Sequence, residues 1–151
     1  MNGLLQRSLD LWCALTRALN RLQPLAALAA RLYVAQVFFL SGLTKTRDWE
    51  TTVALFTYEY HVPLLPPALA ALMGTAGELG LSVLLVLGLG GRLAALGLSV
   101  VNAVAVISLS EIAPAALQQH QFWGALLAGL AIYGSGPWAL DRFIVPRAGR
   151  A

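Results

Sequence analysis

The chain has 151 residues, 58% hydrophobic and only 11% charged, at a mean hydropathy of +0.72. A soluble domain is about a quarter charged, so an ordinary water-soluble enzyme and a disordered or charged tail are excluded, and the composition is that of a small single-domain integral membrane protein. The formal charge of +3 and pI near 9.5 do not indicate nucleic acid, because the arginines lie scattered between apolar blocks and form no dense stripe.

A lone cysteine, Cys13, removes an internal disulfide, CxxC redox chemistry, thiolate zinc sites and iron–sulfur clusters from consideration.

Residues 1–22 read as an amphipathic helix. On a helical wheel Leu4, Leu11, Leu15, Ala18 and Leu22 cluster opposite Arg7, Asp10, Arg17 and Arg21, a pattern suited to the inner headgroup layer or to a partner protein. Arg7, Asp10 and Arg17 interrupt its apolar run, so no cleavable signal is expected.

Four apolar blocks follow, each near the roughly 20 residues that cross about 30 Å of hydrocarbon. The first spans about 25–44, with Pro24 suited to its first turn. A connection over about 45–66, rich in aromatics and closed by Pro63, Pro66 and Pro67, predicts a short interfacial helix. Its length also leaves it a candidate recognition surface. The second block spans 67–89 and the third 93–110, joined by so short a glycine turn that they must form a helical hairpin. The fourth begins between Ala115 and Phe122 and stops at Gly134-Ser135-Gly136-Pro137. A short basic tail, 143–151, ends the chain. The expected architecture is all-α: an integral membrane four-helix bundle over 23–142, with an N-terminal amphipathic interfacial helix.

With four spans, Arg7, Arg17, Arg21, Arg31, Arg92, Arg142, Arg147 and Arg150 fall on one side. Only Lys45 and Arg47 fall on the other, together with Asp48, Glu50, Glu59 and Glu111. The positive-inside bias then puts both termini in the cytoplasm.

Glu78 is the outlier, about 16 Å deep in the second block at 1.5 Å per residue. An acid at that depth costs several kcal/mol and is usually functional or paired. Thr75 and Ser82, at i−3 and i+4, extend it into a polar stripe, with Gly74 one turn away. Counting down from the outer ends sets Arg31 roughly 5 Å from the level of Glu78, so Arg31 is the expected partner unless it snorkels to the inner headgroups. Arg31 and Lys45 share one face of the first block, and Gln36 lies well round from them. Asn102, above Ser99, joins Gln36 and Glu78 in one layer. That layer serves as interhelical hydrogen-bonding glue, or more sharply as a polar pocket.

His61 and His120 are placed on the outer side, too scattered among Glu59 and Glu111 for a metal site. No Walker loop, GxGxxG, HExxH or GxSxG occurs, so no catalytic residue is assigned and no cofactor is evident. Small residues at helical spacing, Ala70/Gly74 and Ala125/Gly129, indicate tight packing within the chain or between copies.

The stretches Arg31-Leu32-Tyr33-Val34-Ala35-Gln36-Val37-Phe38-Phe39-Leu40-Ser41-Gly42-Leu43-Thr44-Lys45 and Gly77-Glu78-Leu79-Gly80 resemble the DoxX family of small four-span bacterial membrane proteins. So do the turn Leu85–Arg92 and the closing Gly134-Ser135-Gly136-Pro137-Trp138-Ala139-Leu140-Asp141, over about 25–142 in all. Ala139 stands where the family often has serine. The resemblance maps the family's arginine opening the first span to Arg31, its exit lysine to Lys45 and its second-span glutamate to Glu78.

The resemblance implies a bacterial plasma-membrane protein that works with a partner in a redox or stress-response assembly, some relatives being subunits of thiosulfate:quinone oxidoreductases or quinol-oxidase complexes. The first expectation is therefore a non-catalytic subunit in contact with the lipid bilayer, a protein partner and the quinone pool. The alternatives are a small-molecule or proton-coupled carrier using Glu78 and Asn102, and a membrane scaffold or assembly factor.

Overall fold

The computed structural model describes residues 2–144, whose regular elements are all helices, with no strand among the described residues. The elements are α1 (Asn2–Arg47), α2 (Trp49–Tyr58), α3 (Pro67–Leu87), α4 (Gly91–Ile107), α5 (Pro114–Tyr133) and the single turn α6 (Asp141–Ile144). α1 packs on α3, α3 on α4, α4 on α5, and α5 returns to α1, while α2 lies against α3. Most of the basic tail expected at 143–151, including Arg147 and Arg150, lies outside the described residues.

The boundaries of α3, α4 and α5 follow the apolar blocks closely, but α1 does not. The amphipathic segment and the first apolar block, expected as two helices, form one helix of 46 residues with Pro24 inside it. Proline removes one backbone donor and crowds the preceding turn, yet the α-helix continues on both sides. At 1.5 Å per residue α1 is about 69 Å long, over twice the hydrocarbon thickness. Its residues 5–23 are exposed, and burial begins only from Pro24 onward.

At its other end α1 stops at Asp48, whose extended backbone (φ −140°, ψ 97°) caps α2. The Asp48 carboxylate accepts from the Thr51 amide at 3.0 Å and from Thr51 Oγ1 at 2.6 Å. Thr52 Oγ1 donates back to the carbonyls of Lys45 (2.8 Å) and Asp48 (2.9 Å). The Thr51 side chain first, and then its amide, hold the Asp48 carboxyl below its ordinary range. A carboxyl lowered by folding stabilises the cap above its unfolded pKa and loses that contribution as pH falls through the folded value. The protection of the Thr51 amide, its exchange rate measured against an unstructured chain at the same pH, is therefore expected to fall in acid, and protection with no such step would refute the cap.

The α3–α4 turn is built on left-handed glycines, Gly88 at φ 68° and Gly90 at φ 55°. A strap running from Gly134 to Asp141 folds over this turn. Leu140 and Asp141 donate their amides to the carbonyls of Leu87 and Gly88, both at 3.1 Å. The Asp141 carboxylate in turn accepts from the amides of Gly90 (2.8 Å) and Gly91 (3.1 Å). These are orphan donors at the start of α4, where an anion is favoured. Gly91 has no room for a side chain, because a Cβ there would run into Ser135 Oγ.

The core is a thin seam of Val34, Ala35, Phe38, Leu85, Ala94, Ala95, Leu98, Leu127 and Leu130. Outside it leucines, valines and isoleucines face outward, among them Leu72, Leu84, Val86, Leu93, Val100 and Ile132. α1 and α3 are long and apolar enough to cross a membrane, and α4 is a shorter apolar helix of 17 residues. Only 28% and 33% of the most apolar windows of α1 and α3 are buried. A soluble core helix would be mostly buried, so this much exposed apolar surface suits a lipid surrounding.

Candidate functional site

The register of α1 against α3 decides which charges meet. Gly42 stands opposite Glu78, since a Cβ on Gly42 would lie 3.2 Å from the Glu78 Cβ and 2.8 Å from Leu79. In the same register Arg31 reaches the Gly88 turn. α3 therefore overshoots Lys45 by about two turns, roughly 12 Å at 1.5 Å per residue. α2 covers that extra length, with the Phe56 ring 3.6 Å from where a Gly74 Cβ would sit.

The expected Arg31–Glu78 pair is consequently not formed. Levelling the outer ends of the two blocks placed α3 too deep by this overshoot. Glu78 pairs instead with Lys45, whose Nζ lies 2.7 Å from Oε2 and 2.8 Å from Oε1. Ser41, one turn from Lys45 on the same face, accepts from Nζ at 2.8 Å and donates to Glu78 Oε1 at 3.2 Å. The Lys45 and Glu78 side chains retain only 20% and 9% of their exposure.

Arg31 is buried at the opposite end and does not snorkel. Its Nη1 donates to the Ser135 carbonyl at 2.7 Å and its Nη2 to the Trp138 carbonyl at 3.1 Å, tying α1 to the strap.

Asn102 bridges α4 to α5. Its Nδ2 donates to the His120 carbonyl at 2.9 Å, and its Oδ1 lies 2.8 Å from His120 Nδ1. His120, placed by sequence at the outer surface, thus sits among the helices. The signal was available: His120, Trp123, Leu127 and Leu130 recur at helical spacing, and the last two are buried core residues. Ser41 was likewise missed, though i, i+4 spacing from Lys45 predicts the contact. Gln36 does not share a layer with Glu78 and Asn102. It is exposed and borders a separate shallow groove with Ser82 and Val86.

Between these two polar pairs lies a cavity of about 420 Å³. Lys45, Ser41 and Glu78 form one wall and His120 another. Phe38, Phe56, Tyr60, Trp123 and valines of α4 supply the rest. The Trp123 ring meets Phe38 and His120 edge to face, at centroid distances of 6.0 and 5.0 Å. Met73 and Val100, both exposed, also line the cavity, so it reaches the lipid-facing surface between α3 and α4.

The DoxX family model matches residues 26–111, a stretch holding Arg31, Lys45, Glu78 and Asn102. The chain belongs to the DoxX family. It is accordingly a DoxX membrane protein, as its stretches of exposed apolar helix also require. The matched region ends before α5, leaving His120 and the strap outside it. No curated protein and no solved structure matches the chain.

Proposed function

We propose that this DoxX protein is a non-catalytic accessory subunit of a membrane redox or stress-response assembly linked to the quinone pool. In this reading α1, α3, α4 and α5 form a four-helix bundle that crosses the bacterial inner membrane four times. Both termini are cytoplasmic, because eight of the ten basic residues then fall inside. The first part of α1 runs towards the cytoplasmic side, where the exposed apolar and basic faces of residues 5–22 suit headgroups or a partner protein.

The observation that carries the reading is the engagement of the polar residues. Glu78 is committed to Lys45 and Ser41, and Asn102 to His120. Groups held in this way position helices and shape a cavity; a carrier acting through Glu78 needs that acid free to exchange its partner. Ala70 and Gly74 are covered within the chain, whereas Ala125 and Gly129 leave a face of α5 open to a second copy, which the reading does not require.

Purification from native membranes in mild detergent tests the proposal. The chain is expected to bring down oxidoreductase subunits in fixed stoichiometry, while the isolated protein shows no turnover with thiosulfate and a quinone. Turnover by the isolated chain would overturn the subunit reading. Uptake into liposomes that is lost in Glu78→Gln would replace it with the carrier.

A further inference from the structure

We propose that the central cavity is a binding site for a neutral lipophilic molecule bearing a hydroxyl group, which donates its proton to His120 Nε2. This inference stands independently of the accessory-subunit reading, since it concerns the cavity alone.

Size and access come first. At about 420 Å³ the cavity falls within the range of small-molecule sites, roughly 300–1,000 Å³. Its walls are mainly aliphatic and aromatic, and Met73 and Val100 stand at an edge open to lipid. Below that edge α3 and α4 are closed, with Gly77 against Val101 and Gly97 against Leu81. A ligand dissolved in the bilayer can therefore enter sideways between the two helices without crossing a polar surface.

Polarity decides the ligand's chemistry. The three N–H groups of Lys45 are matched by Ser41 Oγ and the two Glu78 oxygens. The Ser41 hydroxyl proton goes to Glu78 Oε1, and the Ser108 hydroxyl proton goes to the Ala105 carbonyl at 3.3 Å. Asn102 Nδ2 faces the His120 carbonyl, which fixes the amide so that Oδ1 faces the ring. Oδ1 can only accept, so His120 Nδ1 carries the hydrogen, and in the neutral imidazole Nε2 is left with a lone pair. Glu78 is the sole acid among the described lining residues and is paired with Lys45, so no free carboxylate faces the ring to hold it as imidazolium. His120 therefore offers an unused acceptor at the wall; the Tyr60 phenol, also in the lining, can donate to a hydroxyl or an ether oxygen alike and so leaves the need of Nε2 for a donor unchanged. An occupant that brings a hydroxyl completes the site, whereas one presenting only a carbonyl or ether oxygen leaves Nε2 unmatched. The edges and faces of Trp123, Phe38 and Phe56 favour an aromatic body for such a molecule.

The test uses the full chain in lipid nanodiscs and two probes, tritiated para-butylphenol and its methyl ether para-butylanisole, with empty nanodiscs subtracted. Saturable binding of the phenol, about tenfold tighter than the ether, is expected. In His120→Phe the two probes should bind alike, and in Gly74→Leu, which fills the cavity beside Phe56, neither should bind saturably. Equal affinity for the two probes in the unaltered protein would overturn the hydroxyl assignment without any variant. A preference that persists in His120→Phe would remove His120 from the site. Absence of saturable binding to the unaltered protein would overturn the cavity as a ligand site.

Discussion

Replacing Lys45 by methionine is expected to destabilise the protein by about 3–5 kcal/mol, the loss typical of leaving one member of a buried ion pair uncompensated. The reasoning rests on where the charge is left. Glu78 keeps only 9% of its side-chain exposure and has Lys45 and Ser41 as its hydrogen-bond partners. With Nζ gone, a single hydroxyl remains to stabilise a carboxylate buried between apolar helices, where an unpaired acid is expensive. Glu78→Leu should cost a similar amount by stranding the ammonium, which can partly recover by reaching towards the α2 end. The double variant Lys45→Met/Glu78→Leu should regain most of the loss, because an apolar pair of similar volume often matches a buried salt bridge in stability. Reversible unfolding in mixed detergent micelles measures all four corners of this cycle. Additive losses in the double variant would mean the two side chains do not act as a pair.

What the sequence revealed of this site depended on how local the controlling interaction was. α3 and α5 were legible as apolar runs stopped by glycine, and α4 as the apolar run that a glycine turn opens and the polar Ser108-Leu109-Ser110-Glu111 stretch follows, signals that act within a few residues. Glu78 was legible as an outlier because hydrocarbon makes any acid conspicuous. Its partner was not, because pairing depends on the register between α1 and α3. That register is set by packing such as Gly42 against Leu79, and by the way α2 tucks beneath the overshooting end of α3. An error of two turns is enough to exchange Lys45 for Arg31 when both lie on one helical face. His120 was hidden for a related reason. Its neighbours Gln118, Gln119 and Gln121 make the start of α5 look like a surface, and only the spacing to Leu127 and Leu130 shows that this histidine turns inward. The continuity of α1 through Pro24 was likewise beyond local reading. Proline is tolerated both in a first turn and, in membranes, inside a helix, and nothing nearby distinguishes the two.

Arg31 supplies the contrasting case, a membrane arginine whose work is to hold carbonyls and not an acid. Arg31→Met is expected to cost about 3 kcal/mol, since hydrogen bonds from a charged donor contribute roughly 1.5–3 kcal/mol each and two are lost. The acceptors, the carbonyls of Ser135 and Trp138, lie in the strap that follows α5, and Arg31 itself is only 2% exposed. The damage should therefore be local before it is global. Freed from Arg31, the strap remains attached through Asp141 to the amides of Gly90 and Gly91 and opens from its other end. Limited chymotrypsin digestion reads this directly, because cleavage after Trp138 requires the carbonyl that Arg31 Nη2 holds to come free. Faster cleavage is expected in Arg31→Met. Arg31→Lys should fall between, since an ammonium keeps the charge but lacks the planar fork that spans two carbonyls. If cleavage in Arg31→Met stays at the rate of the unaltered protein, the arginine does not lock the strap and its burial serves packing alone.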